Sequence, residues 1–127
     1  MQKILWVGIG GFAGAVLRYL ACGHVQKWAE NSRFPYGTIV VNLVGCLIIG
    51  LLSWLADTRC IFTAEMRSFV FIGLLGAFTT FSTFSNETLG LIQEAKGDMA
   101  VVNIGTHLVF GLVAVWGGRV LGRLIWR

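Results

Sequence analysis

Charge is scarce in this chain. Asp, Glu, Lys and Arg make up 13% of the 127 residues, about half the quarter that a soluble domain carries. With a mean hydropathy of +0.76, that scarcity excludes an ordinary water-soluble domain and puts the chain in a bilayer. No acidic residue precedes Glu30, and none lies at the centre of an apolar run. The two histidines, His24 and His107, have no carboxylate pair or nucleophile–base constellation beside them, so the chain reads as no enzyme. Three cysteines, Cys22, Cys46 and Cys60, form no C-x-x-C pair; they read as small packing residues. The only proline is Pro35. The two halves share no repeat, which argues against an internally duplicated transporter.

Long apolar runs are what the chain does have. Four can be marked, at 4–22, 37–56, 68–85 and 99–118. Each approaches the ~20 residues that cross a ~30 Å hydrocarbon layer as a helix. The first exceeds a signal-peptide core and reads as a retained helix. The expected fold is therefore an all-α membrane protein, one domain of four transmembrane helices over residues 1–127, with little room for a soluble part.

Four spans put both termini on one side, so the basic residues can be sorted. Lys3, Arg59, Arg67, Arg119, Arg123 and Arg127 lie with the termini; Lys27, Arg33 and Lys96 lie opposite, and Arg18 leans their way from inside the first span. The excess of six over four is a modest positive-inside signal. The net charge of +4 carries no nucleic-acid footprint. Glycine is abundant, at 17 residues. Gly10-x-x-x-Gly14 forms a close-packing surface in the first span, and Gly45, Gly50, Gly73, Gly76 and Gly111 suit the same work elsewhere. Four thin helices make a poor pore alone, so a homo-oligomer is expected.

The third run departs from lipid filler. From Gly73 to Glu87 it reads Gly-Leu-Leu-Gly-Ala-Phe-Thr-Thr-Phe-Ser-Thr-Phe-Ser-Asn-Glu. Polar side chains at that depth persist beside a cavity or a protein interface. Phe78, Phe81 and Phe84 share one face if the helix is intact. Aromatic edges are positive, so rings alternating with Ser82 and Thr83 suit a small anion partly stripped of water. Ordinary packing is the plainer reading of the same rings. Thr79-Thr80 after Gly76-Ala77 is a plausible mid-span helix break, whose freed carbonyls can hold a desolvated alkali cation. Asn42 is the lone polar residue deep in the second span; its amide suits either an interhelical bond or an anion. Arg18 either snorkels or draws anions into a vestibule. Asn103, Thr106, His107 and Phe110 form one helical stripe, a polar seam or a pathway lining.

Three motifs carry a resemblance: Gly11-x-x-Gly-Ala-x-x-Arg-Tyr19, Tyr36-Gly-Thr-x-x-Val-Asn-x-x-Gly45, and Gly73-x-x-Gly-x-x-Thr-Thr-Phe-Ser-Thr-Phe84 with Glu87. The chain resembles the Fluc (CrcB-type) family of small fluoride channels. The resemblance implies a dual-topology, antiparallel homodimer in the bacterial inner membrane, with the third helix broken near mid-membrane and two pathways for passive fluoride export. Phe81 and Phe84 would be ring-edge ligands, Asn42 an amide donor, and Ser82 and Thr83 hydroxyl contacts. Arg18, Thr38 and Glu87 are candidate vestibule or accessory residues, as is His107, which rests on the fourth-span stripe and not on the resemblance, since that span is matched only by position. Gly76 and Thr79 would offer backbone carbonyls to a structural, untransported sodium ion (Na+). One departure is Ala77, where the family pattern favours glycine. The alternative function is a small four-helix, proton-coupled exporter of toxic cations. That mechanism needs a membrane-embedded carboxylate, which no span centre supplies.

Overall fold

The computed structural model describes residues 1–30, 32–59 and 61–126. The expectations for Cys60 and Arg127 lie outside them. Four helices are long and apolar enough to cross a membrane: α1 (Gln2–Trp28), α2 (Tyr36–Arg59), α3 (Ala64–Gln93) and α4 (Gly97–Ile125). Among the described residues there is no strand. Each helix outruns the apolar stretch that marked it, because the ladder of hydrogen bonds continues into polar flanks where hydropathy falls.

The helices pack in pairs through glycine. The first half of α3, residues 64–78, lies along α1, and the second half of α4, Gly111–Ile125, lies along α2. A Cβ built on Gly10 would run into the Phe69 carbonyl, and one on Gly14 into that of Leu74. Gly73 faces the Val7 carbonyl in return. On the other pair, Gly50 meets Val115 and Gly118 meets Leu47, again backbone to backbone. Such approach is what holds helices together where lipid cancels the hydrophobic drive. Gly76 and Gly111 differ from this pattern. A Cβ there would meet only the Phe71 carbonyl at 3.6 Å and the Cys46 sulfur at 3.8 Å, so neither makes a close contact within one subunit.

α2 is the central helix and carries buried Gly37, Thr38, Ile39, Val41, Asn42, Gly45, Gly50, Leu55 and Ala56. Its entry is fixed from α1. Gln26 donates to the Phe34 carbonyl at 3.1 Å and accepts from the Gly37 amide at 3.2 Å, which satisfies an otherwise partnerless first-turn N–H. α3 is irregular. Ser68–Leu75 winds as π-helix, Gly76–Phe78 as one α turn, and Phe81–Gln93 as regular α-helix. Between the last two, Thr79 (φ −90°, ψ 152°) and Thr80 (φ −150°, ψ 118°) are extended. α4 contains its own π turn at Thr106–Phe110. π-turns inside α-helices are rare and concentrate at functional sites.

Candidate functional site

The two extended residues of α3 organise the site. The Thr80 amide donates to Asn42 Oδ1 at 2.9 Å, and Asn42 Nδ2 donates to the Thr80 carbonyl at 3.1 Å. Asn42 thus pairs with the interrupted backbone as a neighbouring strand would. Its side chain supplies the partners that the missing helical turn withdraws, each worth several kcal/mol if left unmet in a bilayer. One of the two amide hydrogens of Asn42 remains unassigned by this pairing. Thr80 Oγ1 then caps the next helix, accepting from the Thr83 amide at 3.2 Å. Both diverted amides, those of Thr80 and Thr83, would serve the Gly76 and Thr79 carbonyls in a continuous helix. Those two carbonyls lose their ladder donors.

Two cavities open on either side of Thr80, which lines both. The larger, about 710 Å³, is bounded by Arg18, Cys22, Thr38, Thr83 and Glu87, with Arg33 and Glu94 on its lining as well. It is the polar one. Thr38 donates its hydroxyl to Glu87 Oε1 at 2.7 Å, tying α2 to α3. Glu87 Oε2 is buried and finds no donor among the described residues. Arg33 and Lys96 both hold Glu94, at 2.8 and 2.7 Å; the Lys96 hydrogen bond keeps the Glu94 carboxyl below its usual range.

The smaller cavity, about 300 Å³, is apolar with a few convergent polar groups: Asn42, Gly45, Cys46, Thr79, Phe81, Phe84 and His107 line it. The Phe81 and Phe84 ring centroids are 5.4 Å apart with planes at 54°. Phe84 also lies against His107, centroids 4.3 Å apart. Phe78 is separated from these rings by the extended pair, so the three phenylalanines do not share one face. Ser82 and Thr83 stand on the exposed turn below, linked to Thr80 Oγ1 at 3.1 Å each. Thr83 lines the larger cavity. Arg18 lies on that same lining from α1.

The structure therefore gathers Asn42, Thr79, Phe81, Phe84 and His107 around one space and Arg18, Thr38, Thr83 and Glu87 around another. Gly76 stands apart on the outer surface of the subunit. Among the described residues no group of three His, Cys, Asp or Glu side chains could hold a metal. A cation at the interruption would have to use neutral oxygens, and the carbonyls of Gly76 and Thr79 are of that kind. Sequence reasoning passed over Thr80 as the common wall of both cavities, and over Thr88. Thr88 carries no signal beyond a hydroxyl in an apolar helix.

Residues 5–119 match the family model described as CrcB-like protein, Camphor Resistance (CrcB). The chain belongs to the CrcB family. Among CrcB relatives, the fluoride-specific ion channel FluC of Maridesulfovibrio salexigens is 42% identical over 125 residues, 98% of both chains. FluC 1 of Methanosarcina acetivorans is 45% identical over 122 residues, 94% of this chain and 90% of its own. FluC of Magnetococcus marinus is 43% identical over 124 residues, covering 98% of this chain and 100% of its own. The match thus extends over the CrcB fold and both cavities.

Proposed function

We propose that this chain is a fluoride-selective ion channel. The observation that carries the reading is the smaller cavity, where Asn42, Phe81 and Phe84 converge with no carboxylate on its lining, in a chain whose relatives bear the name fluoride-specific ion channel. Fluoride is small and strongly hydrated, so a selective path must replace water with donors that larger halides cannot reach together. The unassigned amide hydrogen of Asn42, the hydroxyls of Thr80, Ser82 and Thr83, and the positive ring edges of Phe81 and Phe84 are donors of that kind. Arg18 lines the polar cavity and attracts anions toward Thr80. The Thr38–Glu87 bond keeps one carboxylate oxygen turned toward a hydroxyl and away from the ion.

The chain works as a homodimer of antiparallel subunits in a bacterial inner membrane, with one route per subunit. The interruption of α3 falls near mid-membrane in this arrangement. Gly76, open on the outer face, brings its carbonyl and that of Thr79 to the symmetry axis, where a sodium ion would be held by four neutral oxygens, two from each copy. The ion would supply fixed positive charge and partners for those carbonyls. Export is passive: fluoride that entered as HF ionises in the cytoplasm and leaves down its gradient. Purified protein in liposomes tests the proposal. Rapid fluoride efflux with no chloride efflux is expected. Equal efflux of both ions, or fluoride movement that depends on an imposed proton gradient, would overturn it in favour of a coupled exporter.

A further inference from the structure

Asn103 is the polar side chain most completely enclosed among the described residues, at 0% exposed. It touches neither cavity. Its Nδ2 donates to Thr88 Oγ1 at 2.8 Å, and the Thr88 hydroxyl donates to the Phe84 carbonyl at 2.7 Å. A carbonyl only accepts, so the Thr88 hydrogen points to Phe84 and the Thr88 lone pairs receive the Asn103 amide. On its other side, the Asn103 backbone carbonyl accepts from His107 Nδ1 at 3.0 Å. That bond places the proton on Nδ1 of His107, whose ring lies tilted against Phe84, centroids 4.3 Å apart and planes at 40°. Two routes thus run from one residue of α4 to Phe84: through Thr88 to its backbone, and through His107 to its ring.

We propose that Asn103 is a positioning residue for permeation. It clamps Phe84 at both the peptide and the ring, and so sets the angle at which the ring edge meets the ion. The inference rests on the fluoride-channel reading, in which Phe84 lines the route. A bond that served only to dock α4 on α3 would leave the ring free to turn once docking was secured. Here the amide is oriented so completely that its Oδ1 is buried without a donor among the described residues. An apolar residue would dock α4 on α3 as well; the amide adds the bond to Thr88 and, through it, the tie to the Phe84 carbonyl.

The test uses the full chain in liposomes with three variants. Asn103→Leu, close to asparagine in shape, removes the amide but keeps the backbone carbonyl; Thr88→Val removes the hydroxyl; Thr88→Ser retains it. Fluoride flux should fall by about tenfold in each of the first two, the scale seen when residues that orient a functional group are removed. The double variant should fall no further, because both lie on one relay. Thr88→Ser should stay near wild type. Spectra of carbon-labelled phenylalanine should show the Phe84 resonance, assigned by its absence from Phe84→Ile, broadened or split in both Asn103→Leu and Thr88→Val. Wild-type flux in either folded variant, an unmoved Phe84 resonance, or additive losses in the double variant would each overturn the proposal. If wild-type protein carried no fluoride, the channel reading would fall, and the Phe84 resonance would still decide whether Asn103 holds the ring.

Discussion

Phe81 and Phe84 sit less than a turn apart and occupy opposite environments. Phe81 is 76% exposed on the subunit surface, whereas Phe84 is 8% exposed and wedged against His107. Replacing each with isoleucine separates function from packing. Phe84→Ile should destabilise by about 1–2 kcal/mol as a buried large-to-small change, whereas Phe81→Ile should leave thermal unfolding almost unmoved. Both should nearly abolish fluoride efflux, because the aliphatic side chain has no positive edge. Efflux at wild-type level from both folded variants would remove the rings from the route. At this scale the sequence was informative about residue types and silent about partners. Asn42 stood out as a lone amide in an apolar run, but its pairing with Thr80 depends on the meeting of two helices 38 residues apart. Asn103 and Thr88 were legible only as polar residues on α4 and α3.

The helices show where periodicity stops being a guide. Four spans follow from hydropathy alone, since nothing but a helix satisfies its own backbone across lipid. Their internal irregularities do not. The π turns of α3 and α4 leave the composition unchanged, and the extended Thr79–Thr80 pair is held open by α2 from outside. Helix ends are more local. α3 closes with Glu94 as cap, Ala95 at φ 58°, and the Lys96 amide bonded to the Leu91 carbonyl at 2.9 Å. A left-handed residue at that position favours glycine. Ala95→Gly should therefore stabilise the fold by about 1 kcal/mol, read as a higher midpoint in thermal unfolding with efflux unchanged. A lower midpoint would mean that the turn is held by something other than its backbone angles.

For the whole molecule, the surface poses the question. Ile72 and Phe81 are 63% and 76% exposed on α3, either side of exposed Gly76. Within one subunit a side chain at Gly76 has room, as its nearest obstacle is 3.6 Å away. Gly76→Val should accordingly leave each subunit's helices intact while abolishing the dimer and efflux. Retained dimer on crosslinking would place the partner elsewhere. Removing sodium by exhaustive exchange into N-methylglucamine should weaken the same dimer; unchanged stability and flux would argue against a cation there. Orientation has its own test. Two lysines added to the 25–36 linker should bias insertion and lower activity, and an oppositely biased variant co-expressed with it should restore activity. A C-terminal reporter in the unaltered chain should respond from both sides of the membrane, and a one-sided response would contradict dual insertion.

The glycine contacts divide the subunit into two stiff plates, α1 with the first half of α3 and α2 with the second half of α4. Gly37 packs on Cys22 between the plates. Of the hydrogen bonds beside the cavities, Gln26–Gly37 runs from plate to plate, Thr38–Glu87 and Asn42–Thr80 tie α2 to the interruption and second half of α3, and Asn103–Thr88 joins that half to the first half of α4. All are single side chains reaching across a crack. Interlocked backbones can part only by melting, but a hydrogen bond can hand its partner to a passing water or ion and take it back. Thermal breathing is therefore channelled into the crack while the plates stay rigid. Amide exchange should register the contrast, with the Thr80 N–H trading its proton for solvent well before that of Leu74, and the crack opening many times for each unfolding of the plates.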